Sequence, residues 1–109
     1  MEQSDEKALQ YFQLAADQGD DQAQYFLGLM YYEGKGVEQS YEKTAQYFQL
    51  AADQGNDRTP YFLGELYYYG YSVEQSYKKA AQYYQSALDH DYPPAGYDLA
   101  RLLEEGYIK

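Results

Sequence analysis

An all-α fold built from three stacked helix-turn-helix repeats is predicted by three features of this sequence. Sliding the chain by 36 residues aligns Ser4, Ser40 and Ser76, then Lys7, Lys43 and Lys79, then Tyr11, Tyr47 and Tyr83, and the register runs on to Gly34, Gly70 and Gly106. Inside each copy the apolar residues recur at helical spacing, and no alternating Val, Ile or Thr run marks a strand. All three prolines, Pro60 and Pro93-Pro94, fall where second helices begin, and there a missing N–H costs little. The 109 residues divide as 1–36, 37–72 and 73–109, one repeat domain spanning 1–109. Copies one and two agree at 23 of 36 positions, whereas the third drifts and reads like a terminal repeat: Asp91, Ala100 and Glu104 stand where copy two has Gly55, Gly64 and Tyr68.

The first helix is expected near 5–18, because Ala8, Tyr11, Phe12 and Ala15 share one face while Glu6, Gln10, Gln13 and Asp17 share the other. Ser4 is its expected N-cap and Gly19 its terminator. The second, near 21–33, carries Ala23, Leu27, Met30 and Tyr31 as its stripe, with Phe26 at the edge, and stops at Gly34. The same patterns one and two periods on place helices near 41–54, 57–69, 77–89 and 93–105. Ser72 occupies the register of Gly36, so a left-handed backbone there would strain the second connector.

Composition narrows the partners. A formal charge of −10, from 18 acidic against 8 basic residues, argues against nucleic acid and anionic membranes, since the chain could release few counterions from phosphate. The absence of cysteine removes disulfides, zinc knuckles and thiol nucleophiles. The opening residues lack a basic and apolar leader, and no apolar run reaches the ~18 residues of a membrane span, so the expectation is a soluble chain of undetermined compartment.

The period and its residues resemble the Sel-like repeat family, a relative of the tetratricopeptide repeat. The resemblance is carried by Lys7-Ala8, Tyr11-Phe12, Ala15-Ala16, Gly19, Ala23-Gln24, Leu27-Gly28, Tyr31 and Gly34-Lys35-Gly36-Val37. It continues in Lys43, Tyr47-Phe48, Ala51-Ala52, Leu63-Gly64, Tyr67 and Val73, then in Lys79-Ala80, Tyr83-Tyr84, Ala87, Ala95, Leu99 and Gly106. It implies an α-solenoid of six antiparallel helices in a right-handed superhelix. On that reading the pairs Ala15-Ala16 and Ala51-Ala52 face Gly28 and Gly64 and bring the helices of one repeat close, and Tyr11 and Tyr31 belong to the fold. It further implies an adaptor role, with no cofactor.

Two residue sets are left over for binding. The outward face of the first helices repeats its glutamines as Gln10, Gln46 and Gln82 and as Gln13, Gln49 and Gln85. Such amides both donate and accept, and so can hold the backbone of an extended peptide in a groove. On the second helices Tyr25, Tyr32, Tyr61 and Tyr68 point away from the stripe, and Tyr41, Tyr69, Tyr71 and Tyr77 gather at the connectors; this is interface composition, or else packing between neighbouring repeats.

No active site is legible. His90, the only histidine, lies in a turn, and Asp17, Asp20 and Asp21 lack the ligand spacing of a calcium loop. Gly34-Lys35-Gly36-Val37 follows a helix, not the strand a phosphate loop needs. The expected function is a non-catalytic protein-interaction module for a protein or peptide with basic segments. The alternative is a self-assembling repeat protein, a homo-oligomer or filament, because Met1 stands in the register of Val37 and Val73 and the array opens on a bare first helix.

Overall fold

The computed structural model describes the backbone of residues 2–109 and the side chains from Asp5 onward. Six helices follow in order: α1 (Glu2–Asp17), α2 (Asp21–Glu33), α3 (Tyr41–Asp53), α4 (Thr59–Tyr69), α5 (Tyr77–Asp89) and α6 (Pro94–Glu104). No strand occurs among the described residues. None of the helices is long and apolar enough to cross a membrane. Two compact units form, Met1–Asn56 with α1 to α3 and Asp57–Lys109 with α4 to α6.

Local chemistry accounts for the helix ends. Ser40 Oγ accepts from the Lys43 amide at 3.2 Å and Ser76 Oγ from the Lys79 amide at 3.1 Å, each satisfying one orphan N–H at a helix start. The backbone of α1 is already helical from Glu2, so Ser4 falls within the helix instead of ahead of it; its side chain, and Met1, lie outside the described residues. Pro60 stands in the first turn of α4 and Pro94 opens α6. α2 and α4 end on Gly34 and Gly70 in left-handed conformation, with Met30 and Leu66 carbonyls accepting the cap amides.

In the first unit Ala16, Ala23 and Leu27 form a core under Leu9, Phe12 and Ala15, which joins α1 to α2. The contact of α2 with α3 is tighter, and Gly28 is the reason. A Cβ there would sit 2.5 Å from the Phe48 ring, so only hydrogen lets the fully buried Phe48 lie flat against the helix. The second unit repeats this between α4 and α5, where a Cβ on Gly64 would meet the Tyr84 ring at 2.7 Å. The sequence reading paired these glycines with alanines of their own repeat. The structure corrects it: each glycine receives an aromatic ring from the first helix of the next repeat, because the ring needs the depth that a missing methyl provides.

Around each glycine the same supports recur. Tyr47 stacks on Tyr31 at 5.8 Å with Lys43 Nζ above the Tyr31 ring, and Tyr83 stacks on Tyr67 at 5.6 Å with Lys79 Nζ above Tyr67. Tyr11, the register equivalent of Tyr47 and Tyr83, is 71% exposed and not part of the core. Its equivalents are covered by a preceding second helix, and no helix precedes α1 among the described residues.

Candidate functional site

The glutamine face survives folding, but it divides into two kinds of residue. Gln13, Gln49 and Gln85 each donate from Nε2 to the carboxylate four residues on, Asp17, Asp53 and Asp89, all at 2.9 Å. Spacing of i to i+4 on a helix places those side chains one above the other. Gln13 also lies within hydrogen-bond reach of the Tyr47 hydroxyl, its Nε2 at 3.2 Å and its Oε1 at 3.3 Å, which ties α1 to α3. Gln10, Gln46 and Gln82 stay exposed and make no side-chain hydrogen bond among the described residues.

Leucines accompany the amides of the first unit. Leu14 is 59% exposed on α1 and Leu50 49% exposed on α3, one period apart. Leu9, Gln10, Gln13 and Leu14 line an open groove of about 420 Å³ whose surface is mostly apolar. Sequence reasoning singled out the glutamines and passed over these leucines, although a leucine recurring 36 residues apart on the side opposite the apolar stripe was the signal. In the second unit Ser86 takes the leucine register, and Gln82 instead joins Lys78, Ala81, Tyr107 and Ile108 around a separate groove.

The expected outer tyrosine face is largely consumed by packing. Tyr25 is buried and stacks on Phe48 at 6.0 Å, a correction to its expected outward placement: the next first helix closes over it. Tyr61 is half-buried between Tyr84 and Tyr92, with ring centroids 5.6 and 4.9 Å away. Burial, and hydrogen bonding of its hydroxyl to Glu65 and Asp98, hold the Tyr61 phenol well above the ordinary tyrosine range. Tyr84 moves the same way through desolvation and the Asp98 and Glu65 charges. Tyr32 packs on Tyr41 at 5.5 Å. Tyr68 packs on Tyr77 at 5.5 Å and lies under the Arg101 guanidinium, which is itself paired with Asp98 at 2.7 Å. Stacks of Tyr69 on Tyr71 and of Tyr77 on Tyr107 extend this cluster to the surface, where Tyr69 and Tyr107 are exposed.

His90 follows the last turn of α5, its Nδ1 2.7 Å from the Ser86 carbonyl oxygen, a capping role at the negative end of a helix. Asp20 accepts from the Gln22 amide and caps α2.

Paired helices, periodic glycines under aromatic rings, and a first-helix face left to solvent define a helical repeat protein of the solenoid class. Within that class the chain belongs to the Sel1 repeat family, whose pattern matches residues 1–20, 21–56 and 61–92. Among solved structures the chain is similar to a Sel1 repeat protein from Oxalobacter formigenes, with 31% identity, a TM-score of 0.87, and coverage of 93% of this chain and 41% of that one. It is similar also to c5321, a protective antigen of uropathogenic Escherichia coli with an SLR fold, at 31% identity and TM-score 0.84 over 90% of this chain and 21% of that one. Helicobacter pylori cysteine rich protein B shares 28% identity at TM-score 0.74, over 80% of this chain and 65% of its own. The chain thus spans from about a fifth to just under two thirds of the length of these structures. No curated protein matches the sequence. Proteins of the Sel1 repeat family commonly mediate protein–protein interaction.

Proposed function

We propose that this chain is a non-catalytic interaction module whose first unit takes an extended peptide along the outward faces of α1 and α3. The observation that carries this reading is the pairing of exposed leucines with unengaged amides: Leu14 beside Gln10, and Leu50 with Gln46 in the same register. An apolar side chain of the peptide settles against the leucines while its backbone exchanges hydrogen bonds with the amides. The charge of −10 selects basic flanking residues and makes association fast and salt-sensitive. The aromatic cluster of the second unit is a weaker claimant, since its rings already serve one another and Arg101.

The test is a peptide array probed with the labelled chain, followed by titration of the captured sequences. Basic peptides with a central apolar residue are expected, and Leu14→Asp should weaken them about tenfold or more, an effect of the size seen at interface anchors. Leu14 is exposed, so the variant keeps the fold, checked by circular dichroism. A folded chain that retains no peptide, or one indifferent to Leu14→Asp and Leu50→Asp alike, would overturn the reading.

A further inference from the structure

The start of α5 and the end of α6 deliver a tyrosine each to one place. Ser76 caps α5 so that Tyr77 is its first residue, and Tyr77 packs half-buried against the core of the second unit. α6 ends through Gly106 at φ +77°, where the Gly106 and Tyr107 amides donate to the Leu103 and Leu102 carbonyls at 3.1 and 3.0 Å. That reversal folds Tyr107 back over Tyr77. The two rings lie 4.0 Å apart and within 9° of parallel, nearer than the ~4.5–7 Å of ordinary aromatic pairs. The stacks of Tyr69 on Tyr71, Tyr67 on Tyr83 and Tyr31 on Tyr47 are wider, at 5.3, 5.6 and 5.8 Å. The Tyr77 and Tyr107 hydroxyls are hydrogen-bonded to each other, so the rings point the same way and the carbons ortho to the two oxygens face one another. The repeat does not demand this pair, because the same registers hold Asp5 and Lys35 in the first copy.

We propose that Tyr77 and Tyr107 form a modification site, at which one-electron oxidation couples them into a dityrosine that staples the start of α5 to the segment after α6. The oxidant is of the haem-peroxidase or photosensitiser class and acts twice. Each phenol gives one electron to the oxidant and its hydroxyl proton to water. The phenoxyl radicals carry spin on their ortho carbons and join through a new Cε–Cε bond. Each ring then regains aromaticity by passing the hydrogen of the bonded Cε to its oxygen, so the net loss is two electrons and two protons and both hydroxyls survive. Composition directs oxidation to phenols: the chain holds 17 tyrosines and no cysteine or tryptophan, and Met30 is buried. The bond closes the loop from residue 77 to residue 107 and removes freedom from the unfolded chain, as a disulfide does.

The experiment exposes the dilute intact chain to ruthenium tris-bipyridyl, persulfate and a brief flash of light. The expected product is monomeric, lighter by two hydrogen atoms, and shows dityrosine fluorescence. Trypsin should release residues 59–78 joined to 102–109, with fragmentation placing the bond between Tyr77 and Tyr107. The melting temperature should rise by roughly 10 °C, the gain expected for closing a loop of this length. Tyr77→Phe and Tyr107→Phe keep the stacked rings but should each remove most of the fluorescence, whereas Tyr97→Phe, at a far more exposed tyrosine, should leave it unchanged. In urea the joined fragment should give way to a scatter of products. Covalent dimers in place of the internal link, undiminished fluorescence in Tyr107→Phe, or the same joined fragment at the same yield in urea would each overturn the proposal.

Discussion

The two units build one interface twice, and they differ mainly at its edge. At the centre each sets a helix glycine under an aromatic ring, Gly28 beneath Phe48 and Gly64 beneath Tyr84. At the edge, where the second helix starts and the following first helix ends, the first unit uses amides. Gln54 donates to Gln24 at 2.6 Å, Asn56 to Asp21 at 2.8 Å, and the buried Gln24 to the Ala16 carbonyl. The second unit fills the same registers with Pro60, His90 and Tyr92, and closes the edge with the Tyr61–Tyr92 ring contact at 4.9 Å. The centre is limited by steric depth and admits little change. The edge needs only that its polar atoms find partners, so hydrogen bonds and aromatic contacts serve equally well.

The widest break in this comparison comes from filling the centre. Gly28→Ala and Gly64→Ala each drive a methyl into a buried ring, and overpacking of this kind costs up to ~3 kcal/mol. Alanine recovers up to ~1 kcal/mol of that through helix propensity. A net loss of about 2 kcal/mol, or roughly 8 °C in melting temperature, is expected in each unit. Ala100, exposed on α6 in the same register, is the internal control: Ala100→Gly should cost only the propensity term, ~1 kcal/mol. A glycine-to-alanine change that raises the melting temperature would refute the central role of the two glycines.

Alkaline titration separates the units through two phenols of the second, one at the centre and one at the edge. Tyr61 and Tyr84 hold their protons above the ordinary phenol value of about 10, so on raising the pH the unfolded chain releases them first. Their contribution is intact below about pH 10 and is lost as the pH climbs beyond it, at up to ~1.4 kcal/mol per pH unit for the buried Tyr84 and less for the half-buried Tyr61, where solvent screens the effect. Tyr84→Phe places in the second unit the ring that Phe48 provides in the first, and should flatten the fall. Equal slopes for parent and variant between pH 10 and 12 in denaturant melts would count against it.

Much of this was legible in the sequence because it is local. Caps at Ser40 and Ser76, stops at Gly34 and Gly70, prolines in first turns and the 36-residue period all depend on neighbours along the chain. What escaped depends on stacking. Periodicity marks Gly28 as facing something, but which helix supplies the ring is settled by how repeats pile up. The same geometry buries Tyr25, leaves its third-repeat equivalent Tyr97 80% exposed, and uncovers Tyr11 while Tyr47 is half-buried. Identical residue types at identical register thus reach opposite fates. The leucine half of the groove was overlooked for another reason: Leu14 and Leu50 resemble core residues in composition and are outward only by phase.

The connectors give the smallest and most directional contrast. Ser72 has φ +59° where its equivalent Gly36 has φ +71°, so the strain expected at the second connector is present. A left-handed residue with a Cβ costs ~1–2 kcal/mol, and glycine forfeits ~0.5–1 kcal/mol of that advantage through its freer unfolded state. Ser72→Gly should therefore stabilise by ~0.5 kcal/mol, a gain of about 2 °C. The reverse exchange is not its mirror image. A Cβ on Gly36 would stand 2.8 Å from the Asp5 backbone, and backbone at the head of α1 cannot swing aside as a side chain can. Gly36→Ser is accordingly expected to cost several times what Ser72→Gly gains, read as paired melting temperatures of the two variants against the parent. Equal and opposite shifts would mean that φ alone governs the connector, and that the close approach of α1 to Gly36 contributes nothing to the first unit.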